Sequence, residues 1–271
     1  MPTARMAVTL SSYRPGILRP VHPYLDAPAP LAFAHRGGAA DGDENTAEAF
    51  ARAVALGYRY VETDVHGTRD GVSVVFHDEN LRRLTGHPGR IKDLTIKDLD
   101  TVRVAGSAAV PRLDDVLAAW PEVRFNIDVK ASPGIAPTLQ AVHDAKAADR
   151  VLLASFSDSR LARIRRLAGP RIATSLGMRG VTRLWLASRG YRPVRMHPSV
   201  VAAQVPPRYG RLTVVDARFV AYAHRLGLQV HVWTIDEPEP MHHLLDLGVD
   251  GIMTDRVDVL RDVYIARGLW P

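Results

Sequence analysis

Two short stretches carry most of the chemistry. In VETDV (61–65), side chains two apart on a strand face the same way, so Glu62 and Asp64 project together. In NIDVK (126–130), the same period puts Asp128 and Lys130 on one face. Two carboxylates aimed into a closed interior repel unless a positive group lies between them, and a hard divalent cation on oxygen ligands is the simplest answer. For an isolated pair, salt bridges to Arg59 or Arg69 are the plainer answer. That answer weakens because His35, Arg36 and His77 also stand at the ends of strand-like runs. Imidazoles exchange protons near neutral pH, and each such step contributes roughly 10²–10⁴-fold. Arg36 is able to grip a phosphate with a two-pronged fork, and Lys130 adds a point charge. A cation, an arginine and a lysine around one anion suit the stabilisation of charge on a phosphorus-centred transition state.

These residues need a frame that gathers strand ends. From residue 31 onward, strand-like runs recur at 31–35, 60–65, 124–129, 151–156, 171–176, 200–205, 228–234 and 251–255. Helical patterns at 45–57, 113–120, 137–148, 157–169, 216–227 and 239–248 lie between them, and a last helix follows Gly251. Strands alternating with helices imply parallel βαβ units, and eight of them predict the α/β class and a closed (β/α)8 barrel. An open doubly wound sheet would prefer a glycine-rich phosphate turn after its first strand, whereas HRGG (35–38) leads into acidic residues. The rhythm breaks once, after the second strand. Residues 78–112 read as an insertion that emerges at the barrel face where chemistry is done, as a small cap. Residues 1–30 read as an N-terminal arm or capping segment, with the barrel spanning 31–271.

Composition narrows the partners. The chain has 271 residues, 46% of them hydrophobic, enough for a sizeable core. No run reaches the ~18 apolar residues of a membrane span, and the first twenty residues lack a sustained apolar core, so a cytoplasmic location without a secretion signal is expected. Without cysteine, any metal must sit on oxygen or imidazole. Lys and Arg exceed Asp and Glu by six, a balance that suits anionic partners. The basic run RLARIRRLAG (160–169) places its arginines mainly on one solvated helix face and has no interleaved aromatics, so no nucleic-acid partner is expected. Peripheral contact with a membrane and the oligomeric state stay open.

Taken in order, HRG (35–37), ENT (44–46), ETD (62–64), HD (77–78) and NIDVK (126–130) resemble the glycerophosphodiester phosphodiesterase family. The resemblance runs from about residue 31 to 261 and includes LTG (84–86), VPRLDDVL (110–117), HVWTID (231–236) and DGIMTD (250–255). It implies a TIM barrel with a small inserted domain and hydrolysis of glycerophosphodiesters to sn-glycerol 3-phosphate and an alcohol. By the same resemblance, His35 and His77 are the general acid and base, and Arg36 binds phosphate. Glu62, Asp64 and Asp128 hold one divalent cation, Mg2+ or Ca2+. Glu44 stands near the same mouth, Lys130 beside phosphate and glycerol, and Gln204 and Trp233 line the substrate pocket, with barrel packing an equal alternative for Trp233. Two positions depart from the family pattern: Asp43 replaces a usual proline, and Asp128 replaces a frequent glutamate. Lysophospholipase D-type cleavage, which an apolar patch on 78–112 would favour, and a silent phosphate-binding barrel are the alternative readings.

Overall fold

The computed structural model describes residues 21–270, so most of the expected N-terminal arm lies outside the described residues. Eight parallel strands close into a barrel: β1 (Leu31–Ala34), β2 (Tyr60–Gly67), β3 (Arg124–Val129), β4 (Val151–Ala154), β5 (Ala173–Ser175), β6 (Val200–Val205), β7 (Gln229–Val232) and β8 (Gly251–Thr254). Closure is explicit in the pairing, because β1 bonds to both β2 and β8. Each strand leads to a helix: α1 (Ala47–Ala55), α2 (Leu113–Ala119), α3 (Ile135–Asp144), α4 (Asp158–Ala168), α5 (Met178–Ala187), α6 (Ala217–Arg225), α7 (Pro238–Asp246) and α8 (Val257–Ala266). Helix starts follow local chemistry. Thr46, Ser157 and Asp216 accept hydrogen bonds from backbone N–H groups three residues on and so cap α1, α4 and α6.

Helix α5 is absent from the sequence expectation, and its start explains why. Gly177 offers no capping side chain. Instead Asp158, at the start of α4, accepts hydrogen bonds from the N–H groups of Arg179 at 2.8 Å and Gly180 at 3.2 Å. The cap is tertiary, so no local signal announces it.

Two apolar layers hold the barrel. Strand residues such as Val61, Ile127, Leu153 and Val230 pack outward against the helices. Inside, Phe33, Tyr60, Leu152 and Met253 fill the floor together with Tyr24, which is fully buried. Tyr60 donates a hydrogen bond to the Tyr24 carbonyl at 2.7 Å, so the residues just before β1 seal one end. The inserted segment packs a small core, Leu81, Ile91 and Leu99 among others, against Val74 and Phe76 just before it. It is entered through Ser73–Val75, which pairs antiparallel with the end of β2. Short helical turns at Arg82–Thr85 and Ile96–Leu99 lie within it.

A buried histidine makes this core acid-sensitive. His231 has no exposed surface and sits between Gln229 Oε1 at 2.8 Å and Gln204 Nε2 at 3.4 Å. Burial pushes its imidazole down to about 4. A depressed histidine means that the unfolded chain binds the proton first, so stability is lost as pH falls from the ordinary imidazole value toward 4. The loss amounts to about 3 kcal/mol. Urea unfolding at stepped pH should therefore show a flatter acid limb for His231→Phe, and parallel limbs would refute the assignment.

Candidate active site

The site begins where β1 runs out. His35–Gly37 form a single tight turn. Gly37 has φ +85°, and a Cβ there would fall 2.7 Å from Phe50 of α1, so only glycine lets the turn pack against that helix. Arg36 is itself left-handed, with φ +53°. Its N–H donates to Glu62 Oε2 at 3.2 Å, and its carbonyl accepts from the Asn45 N–H at 2.9 Å. Its guanidinium reaches Glu44 Oε1 at 2.9 Å and Asp64 Oδ2 at 3.2 Å. Four contacts hold one strained residue in place.

The carboxylates come from two neighbouring strands whose register aligns them. Glu62 stands opposite Asn126 and Asp64 opposite Asp128 in the β2–β3 ladder. All four are buried. Lys130 Nζ lies between the two aspartates, 2.8 Å from Asp64 Oδ1 and 2.9 Å from Asp128 Oδ2. Neither Arg59 nor Arg69 reaches Glu62 or Asp64; Arg69 pairs instead with Asp98. Burial alone would raise Asp64, but Lys130 and then Arg36 overcome it and hold the carboxyl below its ordinary value. Burial and the Asp64 charge push Glu62 up to about 7. Asn45, left-handed at φ +61°, donates to Asp64 Oδ2 at 2.9 Å and accepts from Thr63 Oγ1 at 2.7 Å.

The histidines are each held by a carboxylate. His35 Nδ1 is 2.7 Å from Asp255 Oδ1, while Nε2 faces Glu62 at 3.6 Å. Burial lowers the His35 imidazole, yet Glu62 and Asp255 outweigh burial and leave it raised. Asp255 is fixed in turn, since its N–H donates to Asp236 Oδ1 at 2.8 Å. His77 Nδ1 is 2.7 Å from Asp78 Oδ1, and Asp78 also accepts from Arg83 Nε at 2.7 Å.

These groups share a cavity of about 230 Å³. His35, Arg36, Glu62, Asp64, His77, Asp128, Lys130, Gln204 and Trp233, all singled out from the sequence, line it. Glu44 does not; it stands behind Arg36 and takes both Nη atoms of Arg83 at 3.0 and 2.6 Å, joining the inserted segment to the site. The opposite wall is apolar, built from Phe156, Leu176, Met178 and Val181, and Trp233 packs edge-on to Phe156 at 5.6 Å between ring centres. Three site residues escaped the sequence reading. Asn126 lines the cavity two residues before Asp128, where the same period-two rule would have found it. Asn45 belongs to the ENT motif and opens the expected helix 45–57, but nothing in the sequence joins it to Asp64. Asp255 closes the DGIMTD motif, but nothing in the sequence joins it to His35.

Among the described residues, no three His, Asp or Glu side chains are already drawn together as a cation cage. The donor set nonetheless fits a hard divalent ion: three carboxylates face one cavity, and the buried oxygens Asp128 Oδ1 and Asn126 Oδ1 have no hydrogen-bond partner.

Comparison with known proteins gives concordant matches. Residues 35–259 match the model of the Glycerophosphoryl diester phosphodiesterase family. A protein of Mycobacterium tuberculosis named "Probable glycerophosphodiester phosphodiesterase 2" is 43% identical over 245 residues, spanning 89% of this chain and 92% of that protein. A glycerophosphodiester phosphodiesterase structure from Agrobacterium tumefaciens shares the fold at a TM-score of 0.72 and 23% identity, over 87% of this chain and 99% of that one. An Oleispira antarctica phosphodiesterase in complex with the product sn-glycerol-3-phosphate aligns at a TM-score of 0.73 and 21% identity, covering 88% and 97%.

Proposed function

The chain belongs to the glycerophosphoryl diester phosphodiesterase family, and from that premise we propose that it hydrolyses glycerophosphodiesters to sn-glycerol 3-phosphate and an alcohol. The observation that carries the reading is one cavity bordered by two carboxylate-held histidines, with Arg36 and Lys130 beside them. Arg36 and Lys130 bind the phosphate oxygens. The Asp255 hydrogen bond fixes the His35 ring so that Nε2 faces the cavity, and Asp78 does the same for His77. One imidazole takes the proton of the attacking hydroxyl, either water directly or the glycerol 2-hydroxyl, whose cyclic phosphate water then opens to glycerol 3-phosphate. The other delivers a proton to the alcohol oxygen as its bond to phosphorus breaks. Glu62, Asp64 and Asp128 would hold a divalent cation, Mg2+ or Ca2+, which when bound supplies Lewis-acid polarisation of the phosphate oxygens. Gln204, positioned by His231, and Trp233 contact the organic part of the substrate.

The chelator-stripped chain, given glycerophosphocholine or glycerophosphoethanolamine, should release glycerol 3-phosphate only after Mg2+ or Ca2+ is added. Absence of release with either ion, from protein shown to be folded, refutes the reading. A second substrate class has its own support, because the cavity wall bearing Phe156 and Met178 is apolar and both side chains are about half exposed. Choline release from lysophosphatidylcholine in the same assay would place the chain with the lysophospholipase D type.

A further inference from the structure

The basic charge is segregated, not scattered. Between Asp158 and Asp216 lie twelve arginines and not one Asp, Glu or Lys. Of the 35 basic and 29 acidic residues in the chain, that leaves 23 basic and 29 acidic elsewhere, so the remainder is net acidic. Four of these arginines are already engaged: Arg171 pairs with Asp149 and Arg189 with Asp216, and two more serve the fold. Arg160 donates to Ser155 Oγ and the Val129 carbonyl, and Arg165 to Thr174 Oγ1 and the Ser175 carbonyl, which corrects the expectation that the run 160–169 is mainly solvated. Arg179, Arg183, Arg208 and Arg211 are exposed and have no carboxylate partner among the described residues.

The same sector exposes apolar side chains. After β6 the chain forms a hairpin in which Tyr209 stands opposite Leu212 across a tight turn at Gly210. Tyr209 is 70% exposed and Leu212 45%. The hairpin rises directly from Pro206, a cavity residue, and is tied to α5 by Trp185 Nε1 donating to the Thr213 carbonyl at 3.1 Å. Met178 opens α5 and Phe156 follows β4, so both stand on the same rim of strand ends at the cavity mouth. The inserted segment offers no such patch: among the described residues, no large hydrophobic side chain of 78–112 is exposed.

We propose that this sector of the barrel rim, with the 208–213 hairpin at its centre, docks on an anionic lipid bilayer. Unpaired arginines answer lipid phosphates and the negative surface potential, while Tyr209, Leu212 and Met178 enter the headgroup boundary. A nucleic-acid backbone would answer the arginines but leave Leu212 and Met178 in water. Docked this way, the cavity mouth faces the membrane.

The test is sedimentation of the full chain with vesicles of phosphatidylcholine alone or of an equimolar mixture with phosphatidylglycerol. Binding should appear with the anionic vesicles and weaken as salt rises. Arg208→Gln with Arg211→Gln should weaken it about fivefold per arginine, and Tyr209→Ser with Leu212→Ser should weaken it at all salt concentrations. An unchanged unfolding midpoint confirms that both variants are folded, and vesicle binding is measured without reference to hydrolysis. Equal binding to both vesicle types, or variants that bind like the parent chain, overturns the proposal. Arginine-dependent capture of a DNA duplex without capture of vesicles overturns it too and reassigns the partner.

Discussion

Replacing His35 with alanine is expected to lower kcat for glycerophosphocholine by roughly 10²–10⁴-fold, the range of one proton-transfer step. KM should move far less, because Arg36 and Lys130 remain to bind the phosphate. The fold should survive, since His35 belongs to neither apolar layer and its ring is held only by polar partners. Asp255→Asn separates positioning from chemistry. It leaves His35 in place but removes one of the two charges that raise its imidazole. The limb of the pH–rate profile that His35 supplies should then shift to lower pH, with a smaller fall in kcat than in His35→Ala. An alanine variant that keeps activity within about threefold of the parent would remove His35 from the reaction. An unshifted limb in Asp255→Asn would reduce Asp255 to a structural contact.

The second large effect is on stability. Lys130→Met preserves the aliphatic stem but takes away the cation that lies between buried Asp64 and Asp128, beside buried Glu62. Removing one partner from a buried ion cluster costs about 3–5 kcal/mol, because the remaining charges stay desolvated. In a domain of this size, that lowers the melting midpoint by roughly 2–4 °C per kcal/mol. The sign with pH follows from the carboxylates. Glu62 and Asp128 are already raised and Asp64 is held down with the help of Lys130; without Lys130 all three move up, so the variant's deficit is smallest at low pH, where the carboxyls are protonated folded and unfolded, and grows as pH rises through the carboxylate range. Mg2+ or Ca2+ should restore more stability to the variant than to the parent, because Lys130 and a cation compete for the same two aspartates. Melting curves at several pH values, with chelator and with each ion, check both statements. A loss below about 1 kcal/mol would show that the cluster relaxes without its lysine. A loss that neither ion reduces would show that these carboxylates do not hold a cation.

Much of this site was legible one residue at a time, for a physical reason. Strand side chains alternate, so Glu62 with Asp64, and Asp128 with Lys130, could be placed on one face without knowing the fold, and parallel strands brought their ends to one rim. Asn126 obeys the same rule. What could not be read was which cation each acid meets. Lys130 bridges two strands only because the β2–β3 register sets Asp64 beside Asp128. A shift of one residue would have turned one of them outward.

The chain alone determined the order of the eight strands and of every barrel helix but α5, the closed barrel they imply, and the acids, bases and cations at its strand ends, because those depend on local periodicity and residue type. Tertiary structure decided the pairings across long separations. Asp255 meets His35 across 220 residues, Asp158 caps a helix that lacks its own cap, and Arg83 reaches from the inserted segment to Glu44. It also decided which surface residues stay exposed, so that Tyr209 and Leu212 stand out on the hairpin that follows the cavity residue Pro206. Such contacts depend on how closed elements pack, and packing is a property of the whole barrel rather than of any window along it.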